Sequence, residues 1–339
     1  MFIKKLTIAA AMTLCAAGAY ASNFRGGDQV YIPAAAHFQG AAGTFISDVY
    51  ISNLDDEPVT VTVIYMALGS SPTPGQPAGT EFKDIIQLRA FERKAFPDFF
   101  RSGLNLQGDR FGQLIFNACR QGQNCGPETQ DEEGYSIHFR PISVESRVYQ
   151  VLNGRPNETT GQLFTGYPWY SFVSELQSNV ELDKVFITGI ENTGTVGQPG
   201  TFRTNIGVTN ASEYSSTTIV LRLYQETLAN FKQEKQIQLP PLGSTQAGLG
   251  DLFPGVALGT NYFVTVEQRD SQPYPGIEVP ETCERGCPAF LAYGSVLDNV
   301  TGDATTLEPQ FMKELSEAVL EELYPPAAGK KPIRRAIRH

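Results

Sequence analysis

One pattern is written twice in this chain, and that repetition limits the possible folds more than any other feature. Residues 43–53 read GTFISDVYISN and residues 200–210 read GTFRTNIGVTN. The echo extends in both directions. VYIPAAAHFQGAAGTF (30–45) is matched by VFITGIENTGTVGQPGTF (185–202), a strand and a Gly-rich excursion ending in Gly-Thr-Phe. VTVTVIYMAL (59–68) answers to TTIVLRLYQETL (217–228), PDFF (97–100) to GDLF (250–253), and RFGQLIFNA (110–118) to NYFVTVEQR (261–269). Finally SRVYQVLNGRPNETTG (146–161) lines up with LAYGSVLDNVTGDATT (291–306). Landmarks kept in order with similar gaps mark a duplicated structural unit.

Each copy alternates apolar and polar residues over short runs, roughly seven strands per copy. The 32 Gly and 22 Pro fall largely between those runs, where they break helices and favour turns. Strands without helical crossovers pair antiparallel and bury one face by packing sheet on sheet. The expected fold is all-β: two tandem immunoglobulin-like β-sandwich domains from an internal duplication, with a short C-terminal helix. A barrel is the alternative. The immunoglobulin disulfide and its partner Trp are missing, so the likeness is architectural. On the repeated strand, Phe45, Val49 and Ile51 are candidates for the buried face.

The chain outside the repeats divides by composition. Residues 1–21 carry Lys4 and Lys5, an apolar run and an Ala-Tyr-Ala site before Ser22, the layout of an export signal. Domain 1 then spans 22–165 and domain 2 spans 184–308. The segment between them, 166–183, holds Tyr167, Trp169 and Tyr170; aromatics clustered in a linker serve interdomain packing or stack on a ligand. Residues 309–326 place Phe311, Leu315, Val319, Leu320 and Leu323 at helical spacing. Residues 327–339 hold Lys330, Lys331, Arg334, Arg335 and Arg338 with no acid, a basic disordered tail open to electrostatic contact with an acidic partner.

Export favours oxidised cysteines. Cys119 with Cys125 and Cys283 with Cys287 form two local pairs, read as two short disulfides. A four-Cys zinc site and cross-pairing between domains stay open. The chain has 26 Lys and Arg against 36 Asp and Glu, an acidic balance that argues against nucleic acid as a partner. No segment after residue 21 is long and apolar enough to span a membrane as a helix.

A search for catalytic patterns yields little. The histidines are His37, His138 and His339, and no nucleophile elbow, zinc-protease or phosphate-loop motif accompanies them. No catalytic residue and no cofactor are expected. Asp298, Asn299 and Asp303 in LDNVTGD form a weak calcium candidate; the other reading is an Asx-type turn closing a hairpin.

Taken together, IPAAAHFQGAAGTFISDVYISN with VTVTVIY, and YGSVLDNVTGDATTLEP near the end, resemble a repeat of large secreted bacterial proteins. That repeat typically reads P-A-x-A, a Gly-rich turn, G-T-x-W-x-T-D-L, and a closing Y-G-S-x-x-D-N-x-T-G-D. This chain has Phe45 and Phe202 at the usual Trp and Asn205 at the usual Asp of the second copy. The resemblance implies a β-sandwich in an extracellular setting and carries no catalytic residues across. The expectation is an exported, non-enzymatic structural or adhesion-type module of the cell surface or matrix, with a protein or glycan partner. A periplasmic chaperone-like accessory and a carbohydrate-binding or carbohydrate-active protein are the alternatives.

Overall fold

The computed structural model describes residues 26–40, 43–69, 82–121, 140–152, 159–168, 173–174, 184–276 and 289–311. The first unit contains β1 (Gln29–Gln39), β2 (Gly43–Asn53), β3 (Val59–Ala67), β4 (Phe82–Leu88) and β5 (Arg93–Phe96). A one-turn helix α1 (Phe99–Ser102) follows, then β6 (Arg110–Arg120), β7 (Ile142–Leu152), β8 (Thr159–Thr165) and β9 (Tyr167–Pro168). The hydrogen-bonded path runs β4-β3-β6-β1-β2-β7-β8, with β5 on β2 and β9 on β1. It folds over on itself at the β1–β2 hairpin, because Val59, Val61 and Val63 of β3 share one buried cluster with Val49 and Ile51 of β2. Branched side chains alternating along β3 suit a pleated, covered surface.

The second unit repeats this plan. Its elements are β10 (Val173–Ser174), β11 (Lys184–Asn192), β12 (Phe202–Asn210), β13 (Ser215–Gln225), β14 (Thr227–Leu239) and β15 (Ser244–Gly248). Then come α2 (Leu249–Leu252), β16 (Gly259–Pro273), β17 (Ala289–Asp298), β18 (Ala304–Leu307) and β19 (Gln310–Phe311). One sheet is ordered β14-β13-β16-β11-β19; the other is β10-β17-β12-β15 with β18 on β17. The pairings of β11 with β16 and β19, and of β12 with β15 and β17, reproduce those of β1 with β6 and β9, and of β2 with β5 and β7. They include a register shift after Ile32 in β1 and after Ile187 in β11. The β1–β2 pairing has no counterpart among the described residues. The fold is an all-β pair of sandwiches, as the repeat implies, and no barrel closes.

Three sequence readings shift in detail. Val49 and Ile51 are fully buried in the first core, but Phe45 is half-buried and stacks on Phe38 at the edge of a different cluster. Within 166–183, Tyr167–Pro168 pairs with β1 and Val173–Ser174 with β17. In 309–326, Gln310–Phe311 is extended because it pairs with the edge of β11. A helix in that segment therefore starts no earlier than residue 312, and residues from 312 on lie outside the described residues.

The two units share buried clusters. Tyr31, Met66, Ile115 and Tyr167 of the first pack with Ala211, Leu242 and Leu291 of the second. Ala34, Ala36, Val148 and Phe164 pack with Tyr293. The outer face of β1-β6-β3 around Tyr31, Ile115 and Met66 is thus covered by the turn end of β12, β15 and β17.

Candidate functional site

The residues singled out by sequence have distinct fates. Cys119 is buried at the end of β6 and is disulfide-bonded; Cys125, Cys283 and Cys287 lie outside the described residues. Of the linker aromatics, Tyr167 is buried against Tyr31 and Met66 in the seam between units, and burial pushes its phenol well above the ordinary tyrosine range. Trp169, Tyr170, His138 and His339 fall outside the described residues.

Asp298, Asn299 and Asp303 do not converge. The Asp298 carboxylate accepts the Val300 and Thr301 backbone N–H groups at 2.8 and 2.7 Å, which hold its pKa below the ordinary range. Asn299 is buried; its amide donates to Thr201 Oγ1 at 2.9 Å and its carbonyl accepts from Arg203 at 3.0 Å. Asp303 reaches across to the Gly161 N–H of the first unit at 3.2 Å. The segment is an Asx-type turn whose far end ties the two units together. Ser295 of the same closing motif donates to Gln162 at 2.9 Å, and Tyr293 meets the Phe164 ring edge-on. Among the described residues no group of three His, Cys, Asp or Glu is placed to hold a metal ion.

A cluster the sequence did not mark forms in the first unit. His37 on β1 lies 2.8 Å from the Asp98 carboxylate. The Asp98 backbone N–H donates to Asp48 on β2 at 2.9 Å, and the Tyr149 hydroxyl on β7 donates to the same oxygen at 3.2 Å. Asp98 holds a positive φ of 47° just before α1, which fixes this geometry. Burial, and then the Asp48 charge, raise the Tyr149 phenol to about 12. The Arg147 guanidinium lies over the Tyr149 ring at 4.8 Å. Among the described residues the His37 ring hydrogen-bonds to the Asp98 carboxylate and to no hydroxyl or thiol.

Among the described residues no such cluster forms in the second unit. Asn205 stands at the place of Asp48 and Leu297 at the place of Tyr149, by the shared β2–β7 and β12–β17 pairings. The sequence match of PDFF to GDLF is also out of step: Asp98 precedes α1 as Gly248 precedes α2, while Asp251 falls inside α2. A charged residue on a strand otherwise shared by both copies, at Asp48, was the one available signal.

The second unit instead carries an aromatic row, exposed at Phe231 and half-buried at Phe186, Tyr224 and Phe263. Phe186 on β11, Phe263 on β16, Tyr224 on β13 and Phe231 on β14 run across the outer face of their sheet. Tyr224 stacks on Phe263 at 5.2 Å and 12°, and Phe231 meets Tyr224 edge-on at 5.6 Å. Beside the row, Arg222 pairs with Glu234 at 2.8 Å and with Glu267.

No protein-family model matches the chain, and no curated protein matches it. Among solved structures, a chain of Broad Bean Stain Virus seen by electron cryo-microscopy shares 11% identity over 86% of this chain and 91% of its own, with a TM-score of 0.23. Bacteroides uniformis beta-glucuronidase 2, covalently bound to cyclophellitol-6-carboxylate aziridine, shares 10% identity over 86% of this chain and 27% of its own, with a TM-score of 0.15. Likenesses at these TM-scores carry no argument here.

Proposed function

We propose that this chain is an exported, non-enzymatic structural or adhesion-type module of the cell surface or extracellular matrix, held by short disulfides and binding a protein partner through exposed sheet surface. The observation that supports this reading is the use of the polar side chains. Asn53, Asn210, Asp298, Asn299 and Asp303 tie turns and the seam between units, while a partly exposed aromatic surface sits on the outer face of the second unit. Among the described residues no helix is long and apolar enough to cross a membrane, which fits a module delivered by its N-terminal export signal.

The aromatic row favours a protein over a glycan. A sugar stacks on the open face of a ring; Tyr224 and Phe263 have turned those faces toward each other. Strand addition by an extended client is disfavoured at β14, whose edge carries Lys232, Glu234 and Lys235, charges of the kind that block edge pairing. The test is fractionation with surface protease treatment, followed by capture of partners from the native envelope and medium. Surface-accessible protein with a retained protein partner is the expected result. Periplasmic protein bound to unfolded clients overturns the reading.

A further inference from the structure

The contact between the two units is heterologous: the outer face of the first unit meets the turn end of the second. Each unit owns both surfaces, so the same contact leaves one of each kind open. The open turn end belongs to the first unit. Leu242 of the buried seam has a counterpart in Phe91: both have φ 51°. Leu242 N–H donates to Ser212 O and Gly243 N–H to Pro240 O, while Phe91 N–H donates to Asp55 O and Glu92 N–H to Arg89 O. Ala211 has its counterpart in Leu54, since Ala211 N–H donates to Ala289 O and Leu54 N–H to Pro141 O. Leu242 and Ala211 are 2% and 5% exposed; Phe91 and Leu54 are 68% and 45% exposed.

The equivalent receiving face belongs to the second unit, where Phe186, Tyr224 and Phe263 are half-buried rather than covered. Tyr31 pairs with Ile115 as Phe186 pairs with Thr265, and Met66 pairs with Gln113 as Tyr224 pairs with Phe263. Phe186, Tyr224 and Phe263 therefore stand where Tyr31, Met66 and Gln113 receive the partner unit.

We propose that a second copy of this chain is the partner, docking its Leu54 and Phe91 on the Phe186, Tyr224 and Phe263 face and repeating the internal contact from chain to chain. On this face the Tyr31 hydroxyl donates to the Ala211 carbonyl at 3.4 Å and the Gln113 amide to the Leu242 carbonyl, beside the Gly69 N–H to Ser244 carbonyl bond and the ties through Gly161 and Gln162. The intermolecular version replaces the Tyr31 and Gln113 donors with Phe186 and Phe263 and enlarges the incoming side chains from Ala211 and Leu242 to Leu54 and Phe91, so it is the more apolar of the two. The charges beside each surface are matched locally: Arg222 with Glu234 and Glu267, Arg140 with Asp55 and Glu57. A heterologous contact that does not close grows into an open filament. The inference rests on the structural-module reading and adds a partner to it.

The test is sedimentation of the secreted chain over a range of concentrations, with one variant blocking each end. Phe91→Asp removes the incoming side chain and Tyr224→Asp disrupts the face. Both positions lie outside the two cores, and an unchanged melting temperature checks the fold. The wild type is expected to associate progressively, each variant alone to weaken association at least about tenfold, as loss of a central aromatic anchor does, and an equimolar mixture to form a species of two chains, because each variant keeps the end the other lacks. A wild type that stays monomeric overturns the proposal. So do single variants that still associate, or a mixture that restores nothing. Association that arises only after removal of residues 312–339 assigns the face to the chain's own C-terminal segment and also overturns it. Since only the purified chain is used, failure here leaves surface localisation and binding of other proteins to be judged by the fractionation experiment.

Discussion

Asn53 and Asn210 hold the same corner of the two units. The Asn53 amide donates to the Glu57 and Arg89 carbonyls at 2.8 and 2.9 Å while its oxygen accepts the Asp55 N–H at 2.9 Å. The Asn210 amide donates to the Ser215 and Pro240 carbonyls at 2.7 and 2.9 Å while its oxygen accepts the Ser212 N–H at 3.0 Å. Each thus clips the turn after β2 or β12 to the turn before β5 or β15. Both are buried, so losing the side chain leaves two carbonyls and an N–H without partners. Asn53→Ala and Asn210→Ala are each expected to cost about 1–3 kcal/mol, measured by urea unfolding. The Asp variants are expected to cost more, since a carboxylate cannot donate to the two carbonyls and would meet them as a buried charge. A silent Asn210→Asp would sink this account.

Gly207 makes room for Tyr293. They are cross-strand partners on β12 and β17, and a Cβ at 207 would sit 2.1 Å from the tyrosine ring. Tyr293 is buried, donates to Gln246 at 2.7 Å and meets Phe164 of the other unit edge-on at 5.5 Å. Gly207→Ala must push that ring out of the seam. It is expected to destabilise by about 1–3 kcal/mol, as overpacking a core does, and to make the joint between units more sensitive to limited proteolysis. At the matching place in the first unit, Tyr50 lies under the Arg93 guanidinium at 5.0 Å, half-buried, and Tyr50→Ala is expected to be milder.

The repeat made the all-β class, the duplicated unit and the buried Val49 and Ile51 legible from alternation written twice, whereas strand order and the twin register shifts depend on long-range pairing that alternation does not encode. The sequence also hid the seam. A face that packs on solvent and one that packs on a second domain differ by a few side chains, and Tyr31, Met66 and Ile115 alternate no differently from ordinary strand residues. The His37 cluster was hidden for another reason. His37, Asp48, Asp98 and Tyr149 come from four separate segments, and only the β1–β2–β7 pairing together with the left-handed turn at Asp98 brings them together. Phe91 was invisible because an exposed aromatic in a turn has no periodicity to betray it.

Tyr167 carries a different kind of signal. Its ring fills the seam, yet among the described residues its buried hydroxyl has no hydrogen-bond partner. An unpaired buried hydroxyl is unfavourable by about 1–3 kcal/mol. Tyr167→Phe keeps the ring and removes the polar atom, so it is expected to leave the melting temperature unchanged or raise it. Tyr167→Ala leaves a cavity between the units and is expected to cost about 3–5 kcal/mol. A marked loss of stability in the Phe variant would mean the hydroxyl has a partner after all.

The cluster around Asp48 predicts a pH response. The folded pKa of Tyr149 is raised to about 12 by burial first and by the Asp48 carboxylate second, against about 10 in an unfolded chain. Below pH 10 the phenol keeps its proton in both states and its contribution to stability is fully present. Between 10 and 12 the unfolded chain releases that proton while the folded one holds it, so stability falls as pH rises through this window. A rapid pH jump read by phenolate absorbance, taken as the difference between wild type and Tyr149→Phe, is expected to show a group titrating near 12. In Asp48→Asn the midpoint is expected to move back toward 10 without reaching it, because burial remains when the charge is gone. A wild-type difference midpoint at 10 would mean that Tyr149 does not donate to Asp48, and the cluster would reduce to the His37 and Asp98 pair.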